Sequence, residues 1–352
     1  MTAGPRLDVT TALFLDLRHQ ARTLPAWESL TTGVPAALAE DPSARHVAAA
    51  VADMQSAGAG VVARSTLHAL IDIFTLLPRS GDTVAVDEAA YPTVQVAAAL
   101  ARKAGAQVWA YGHHRPDTIA DTGGRLFIAT DGWCPGCNRP APIGELRDLA
   151  VRSGGLLVVD DSLACGVLGR RGHRELFGDG AGTVRWLGAS HDGVLWVASF
   201  AKAYGAPLAV VTGPPGALRV LRSDGNRLHS SAPSAPDLSA AVRALSLPRE
   251  LNRRRLRLQV HVLALRSAIV RESLPLNGLP FPIVGIPMPT GAAARWWEAL
   301  RADGIGVIVQ RPRCRRAALL SFVLSSRHST RDIERLMCSV RRLSRDGWGA
   351  AA

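Results

Sequence analysis

The amino-acid sequence predicts an α/β fold: a mostly parallel sheet with helices on both faces, followed by a smaller α+β domain. Three observations predict it. From residue 60 onward, short apolar runs alternate with helix-length segments, the pattern of repeated strand–helix units. The runs are apolar at successive positions, as in strands buried on both faces. A Ser/Pro-rich connector at 230–236 then interrupts the pattern, and a different one begins.

The elements follow in order. Up to about residue 45 the chain reads as irregular, because Pro5, Pro25, Pro35 and Pro42 interrupt any long element. Strands are expected at 60–63, 83–86, 107–110, 126–130, 156–159, 194–199 and 208–212. Helices are expected between them at 68–77, 94–104 and 143–153. The second is alanine-rich with one polar face, where Lys103 needs no further explanation. Beyond the connector, 237–273 reads as one long arginine-rich helical region. A strand at 283–286, a helix at 292–302, strands at 306–309 and 319–324 and a helix at 330–343 complete the chain. The expected division is an N-terminal segment 1–45, a large domain 46–235 and a small C-terminal domain 236–352.

Composition narrows the classes. Apolar content of 47% with 20% charged residues fits a folded protein. The net charge of +12 raises nucleic-acid binding, but the arginines are spread over both halves. No zinc-finger spacing, basic zipper or aromatic RNA-binding signature accompanies them, so no nucleic-acid partner is expected. Residues 1–8 lack the form of a secretory signal, and no run reaches the ~18 apolar residues that would span a bilayer. Five scattered cysteines fit a reducing cytoplasm. Cys134-Pro135-Gly136-Cys137 has metal-like spacing, but no second pair completes four ligands, and His113-His114 is the nearest other donor. An ordinary Gly/Pro turn without metal is the expectation.

The residue with the most chemistry is Lys202. Only Lys103 and Lys202 occur among the 41 Lys+Arg residues. An arginine can replace a surface lysine, but not an amine that must deprotonate and attack a carbonyl. Lys202 closes the apolar run at 194–198, as a Schiff-base lysine at a strand end would. Three other marked sites fall at carboxyl ends of predicted strands, where open parallel sheets bind ligands. Ser65-Thr66-Leu67-His68 offers hydroxyls and helix-start amides to an anion. Tyr91 offers a flat ring, and Asp160, in Asp160-Asp161, a carboxylate that needs a cationic partner. An anion seat, a ring, a carboxylate and an amine match pyridoxal 5'-phosphate (PLP), whose pyridine nitrogen requires such an aspartate.

The segment from Val158-Val159-Asp160-Asp161-Ser162-Leu163 to Gly169-Arg170-Arg171-Gly172 resembles a signature of the α-oxoamine synthases, within the fold-type-I PLP superfamily. The segment Ser199-Phe200-Ala201-Lys202-Ala203-Tyr204-Gly205 is similar to that family's lysine segment, and the likeness runs from about Val61 to about Val340. The resemblance implies a PLP-dependent transferase fold of the aspartate aminotransferase type, with a seven-stranded sheet and a small C-terminal domain. It implies that Lys202 holds PLP, Asp160 pairs with its ring nitrogen and Tyr91 stacks on the ring. Thr66 and Leu67 would offer backbone amides to the phosphate, and Ser65 and Ser199 their hydroxyls. Ser230 would come from the partner of a homodimer whose active site lies at the interface. Asp131, in Thr130-Asp131-Gly132, matches an acidic position near the cofactor's phenolic side.

Two departures bear on the reaction. Leu163 stands where the synthases carry a histidine, and Ser321 falls where the family carries a substrate-carboxylate arginine. Arg311 and Arg327 are the available substitutes for that planar donor. The expected activity is transfer at the α-carbon of an amino acid or amine, as an α-oxoamine-synthase-like acyltransferase using an acyl thioester and an atypical substrate. The alternatives are a class I/II aminotransferase, which Tyr91 favours, and, more distantly, a non-catalytic homologue.

Overall fold

The structure is a computed structural model, and it describes residues 7–30, 33–35, 37–120, 123–173, 175–224, 229–230 and 232–345. Ser231 of the Ser/Pro connector and most of 1–8 lie outside the described residues.

In chain order the elements are β1 (Leu7–Asp8), α1 (Trp27–Leu30), α2 (Pro42–Gln55), β2 (Ala59–Ala63), α3 (Thr66–Leu76), β3 (Thr83–Asp87) and α4 (Pro92–Ala99). They continue as β4 (Gln107–Tyr111), β5 (Leu126–Asp131), the hairpin strands β6 (Trp133–Cys134) and β7 (Arg139–Pro140), α5 (Ile143–Arg152) and β8 (Leu157–Asp160). Then come α6 (Thr183–Trp186), β9 (Val194–Ser199), β10 (Ala209–Gly213), α7 (Pro215–Ser223), α8 (Ala235–Leu245) and α9 (Pro248–Arg271). The last are β11 (Ile283–Met288), α10 (Thr290–Ala302), β12 (Ile305–Gly306), β13 (Ile308–Gln310), β14 (Ala318–Val323) and α11 (Thr330–Arg345).

The seven strands expected from residue 60 onward form one sheet, ordered β2-β10-β9-β8-β5-β3-β4, in which β10 alone runs antiparallel to its neighbours. Its strands are apolar on both faces because both are covered. Val158, Leu195 and Val197 pack to one side with Leu70, Ile73 and Phe74 of α3. Leu157, Val159, Val194 and Trp196 pack to the other, into the larger core. A second sheet, β11-β14-β13, is antiparallel. Among the described residues no helix is long and apolar enough to cross a membrane.

Three expectations shift. The helix at 94–104 is α up to Ala99 and then a 3₁₀ turn, Leu100–Ala104, closed by left-handed Gly105. The region 237–273 breaks before Pro248 into α8 and α9, since proline is tolerated only at a helix start. The strand at 306–309 divides, β12 pairing with β1 and β13 with β14.

The N-terminal segment has little regular structure, yet it is not loose. Val9, Phe14 and Leu15 are fully buried, and Leu7 pairs in parallel with Ile305. His19 Nε2 meets the Tyr204 carbonyl at 2.9 Å, beside the turn that carries Lys202. In that turn Gly205 has φ +63°, and a Cβ there would strike the carbonyl of Leu17. Only glycine lets the turn close on this strap.

Candidate active site

Parallel register sets the site. Asp131 at the end of β5 lies opposite Asp160 at the end of β8, and β9 delivers the turn bearing Lys202 beside them. The three residues line one cavity of about 470 Å³, together with Thr66, Tyr91, Trp133, Ser162 and Leu163. Its mouth is closed from the second sheet by Gln310, Arg311, Pro312, Arg313 and Cys314. This is the size and mixed lining of a small-molecule site at strand carboxyl ends.

The two adjacent aspartates play different parts. Asp161 points into the core, accepting from Thr183 N and Thr183 Oγ1 at 2.6 Å each and from Trp196 Nε1 at 2.8 Å. Burial still pushes its carboxyl up to about 6. Asp160 faces the cavity and accepts from Ser162 N at 3.0 Å. Its carboxyl is also raised by burial, against the Ser162 hydrogen bonds and the positive charge of Lys202. Across from it, Asp131 Oδ2 accepts from Tyr91 N at 2.9 Å, while Oδ1 is shut from solvent with no partner. Burial and the charge of Asp160 hold the Asp131 carboxyl well above the usual range. Two buried carboxylates with one amine nearby leave a deficit of positive charge that a cationic ligand would fill.

Of the expected anion seat, Thr66 alone lines the cavity, while Leu67 and Ser199 lie outside its lining. Ser65 caps α3. Its Oγ lies 2.8 Å from His68 Nδ1 and accepts from His68 N at 3.4 Å. The amides of Thr66 and Leu67 are first-turn groups without intrahelical acceptors. Ser199 Oγ accepts from Ala201 N at 3.3 Å, and Ser199 N donates to Ser162 Oγ at 3.0 Å. Tyr91 is 61% exposed at the cavity's edge.

The substrate-side expectations divide. Leu163 and Arg311 both line the cavity, and Arg311 has no acidic partner among the described residues. Ser321 does not reach it. It sits mid-β14 between Gly285 and Ile308, fully buried, with its hydroxyl unpaired. Arg327 is elsewhere too, lining a cleft with Asp16 and Glu250 and pairing with Asp8 at 3.2 Å. Ser230 is exposed and lies outside the cavity lining of the single chain.

Sequence reasoning passed over Ser162, Trp133 and Arg313. Ser162 links β8 to β9 and holds Asp160, and its only signal was adjacency to the aspartate pair. Trp133 is buried, stacked on Phe281 at 4.7 Å, and follows Asp131 by two positions. Arg313 donates to the Gln95 side chain, a pairing that local sequence could not reveal.

Residues 41–338 match the aminotransferase class I and II family. The chain belongs to that family. It is a PLP-dependent transferase of the α-oxoamine-synthase-like kind. Over 343 residues it is 29% identical to 8-amino-7-oxononanoate synthase of Alkalilimnicola ehrlichii, covering 86% of this chain and 84% of that protein. The fold is shared with a serine palmitoyltransferase of S. paucimobilis solved with bound PLP and myriocin, at TM-score 0.81 and 16% identity, covering 96% of this chain and 87% of that one. It is shared also with 8-amino-7-oxononanoate synthase of Francisella tularensis, at TM-score 0.75 and 19% identity, covering 97% and 98%. The donors of this PLP-dependent transferase fit its cofactor: a half-buried amine, a carboxylate short of positive charge, a helix start and an aromatic ring on one cavity.

Proposed function

We propose that this transferase acylates the α-carbon of an amino acid with an acyl thioester, reading the substrate's carboxylate through Arg311. The observation that carries the reading is the cavity itself, which joins Lys202 and Asp160 to Arg311 while Ser321 and Arg327 lie outside it. PLP, when bound, acts as an electron sink for the bond that breaks at the α-carbon.

The chain's residues do the rest. Lys202 holds the cofactor, and its amine, once freed, moves the proton at the α-carbon. Asp160 keeps the ring nitrogen protonated, and Ser162 fixes the orientation of that carboxylate. Tyr91 would offer its ring to stack on the cofactor, and Asp131 would hold its phenolic side. Ser65, Ser199 and the amides of Thr66 and Leu67 take the phosphate. Trp133 and Leu163 give an apolar wall that excludes water and offers no second proton relay.

We assign the other parts to the same reading. Residues 46–235 form the large domain and 236–352 the small one. Ser230 serves the phosphate of a partner subunit, in a homodimer that also covers the exposed apolar residues Trp27 and Leu38. Five free cysteines, one of them exposed Cys338, suit a reducing cytoplasm.

The test is incubation of the purified enzyme with amino acids, with and without acyl thioesters. Thioester-dependent loss of carbon dioxide is the expected result. Release of a keto acid without thioester would instead establish the aminotransferase that Tyr91 favours.

A further inference from the structure

Beside the cavity lies a cluster that the transferase chemistry does not use. His113 follows β4, Cys134 and Cys137 flank the β6–β7 turn, and Cys314 follows β13 of the second sheet. Their nitrogen and three sulfurs all lie within 4.8 Å of one another. The sequence shows no second cysteine pair beside this turn, because Cys314 comes to it from a part of the chain remote in sequence.

Two of these distances match the edges of a tetrahedral metal shell. With Zn–S of about 2.3 Å and Zn–N of about 2.0–2.1 Å, tetrahedral edges are about 3.8 Å between sulfurs and about 3.5 Å between sulfur and nitrogen. Cys134 Sγ to Cys314 Sγ is 3.7 Å, and His113 Nε2 to Cys137 Sγ is 3.4 Å. A disulfide needs sulfurs about 2.05 Å apart and would engage only two of the three thiols.

The surroundings are built for such a site. Asp87, buried at the end of β3, meets His113 Nδ1 at 2.8 Å, which fixes the ring and leaves Nε2 for a ligand. Its other oxygen accepts from His114 N at 3.2 Å. Asn138 takes φ +54° and donates its N–H to Cys134 O at 2.8 Å, folding the Cys-Pro-Gly-Cys turn so that both sulfurs meet. Asn277 Nδ2 clamps that turn at Pro135 O, 3.2 Å away. A Cβ on Gly136 would strike Cys314 Sγ and Pro312, so glycine is what admits the fourth ligand.

The geometry points to a structural zinc site of the Cys3His type, formed by His113, Cys134, Cys137 and Cys314. It ties the loop bearing Arg311 and Arg313 to the central sheet. Four protein ligands leave no open position, so the metal positions the cavity's mouth and does not enter the reaction. The inference is independent of which reaction the cavity performs.

The test is metal analysis of the purified, cofactor-loaded enzyme after dialysis against a weak chelator. The expected result is about one zinc per chain, with the cluster's thiols shielded from alkylation until a strong chelator is added. Cys137→Ser and Cys314→Ser should lose the zinc, whereas Cys338→Ser, an exposed cysteine elsewhere, should keep it. Cobalt loaded in its place should give the long-wavelength bands of tetrahedral thiolate ligation, which needs no variant to fold. Wild-type enzyme from zinc-supplemented cells that holds no zinc, and whose cluster thiols alkylate freely, would overturn the site. Zinc retained undiminished in a folded Cys314→Ser variant would overturn the ligand set.

Discussion

At the scale of single residues, the site depends on what each side chain can ionise to. Lys202→Arg keeps a cation but cannot supply a free amine. It should abolish borohydride-stable labelling by PLP and reduce turnover at least about a hundredfold, the usual worth of a positioned acid–base group. Asp160→Asn retains an acceptor for Ser162 N but loses the charge that pairs with the ring nitrogen. Turnover should fall about 10²–10³-fold, with weaker cofactor retention on dialysis. Asp161 tests the core instead. Its folded value near 6 lies above the ordinary value of about 3.9, so its stabilising contribution is present below about pH 4 and lost as pH rises through about 6. Asp161→Asn removes that titration. The amide oxygen can accept from both Thr183 N–H and Trp196 Nε1–H, which share one carboxylate oxygen. The NH2 then faces Thr183 Oγ1, whose hydroxyl must turn from donor to acceptor at about 0.5–1.5 kcal/mol, the worth of one hydrogen bond. The deficit in unfolding free energy relative to wild type should therefore be larger near about pH 4 than near about pH 7. A deficit that grew with pH would contradict the assignment.

Elements carry the next level of control. Helix α3 presents its first turn to the cavity, capped by Ser65. Ser65→Ala should destabilise by about 1 kcal/mol in chemical denaturation, the typical loss of an N-cap, and should also loosen cofactor binding. The loop after β13 brings Arg311 and Arg313 to the mouth. Arg311→Ala should raise KM for the amino acid at least about tenfold while leaving cofactor loading intact, because it removes a charged hydrogen-bonding partner of the substrate alone. Much of this scale was legible. Strand 194–199 was read with its final bounds because an uncharged apolar run ends at a polar turn. The break before Pro248 was legible but was passed over, although proline alone was sufficient to signal it. The division of strand 306–309 was not legible, since it depends on β1 pairing with one half and β14 with the other.

Across the whole molecule, the strap of residues 7–19 joins the second sheet to the Lys202 turn through Val9, Phe14 and His19. Its apolar residues gave no regular period from which to read their burial, and their partners lie some hundreds of residues away. The charge of +12 likewise has no nucleic-acid motif behind it. Many arginines instead anchor backbone, as Arg254 does on the carbonyls of Leu15 and Asp16 at 2.7 and 2.6 Å. The sequence by itself determined the central sheet, Lys202 and Asp160. Apolar runs and strand-end polar residues are local signals, and the sheet's parallel order places those ends together. Tertiary structure alone decided that Arg311 lines the cavity while Ser321 is core, and that Cys314 meets His113 and the Cys134–Cys137 turn. Those outcomes depend on how the second sheet packs against the first, a long-range contact that no neighbouring residues encode.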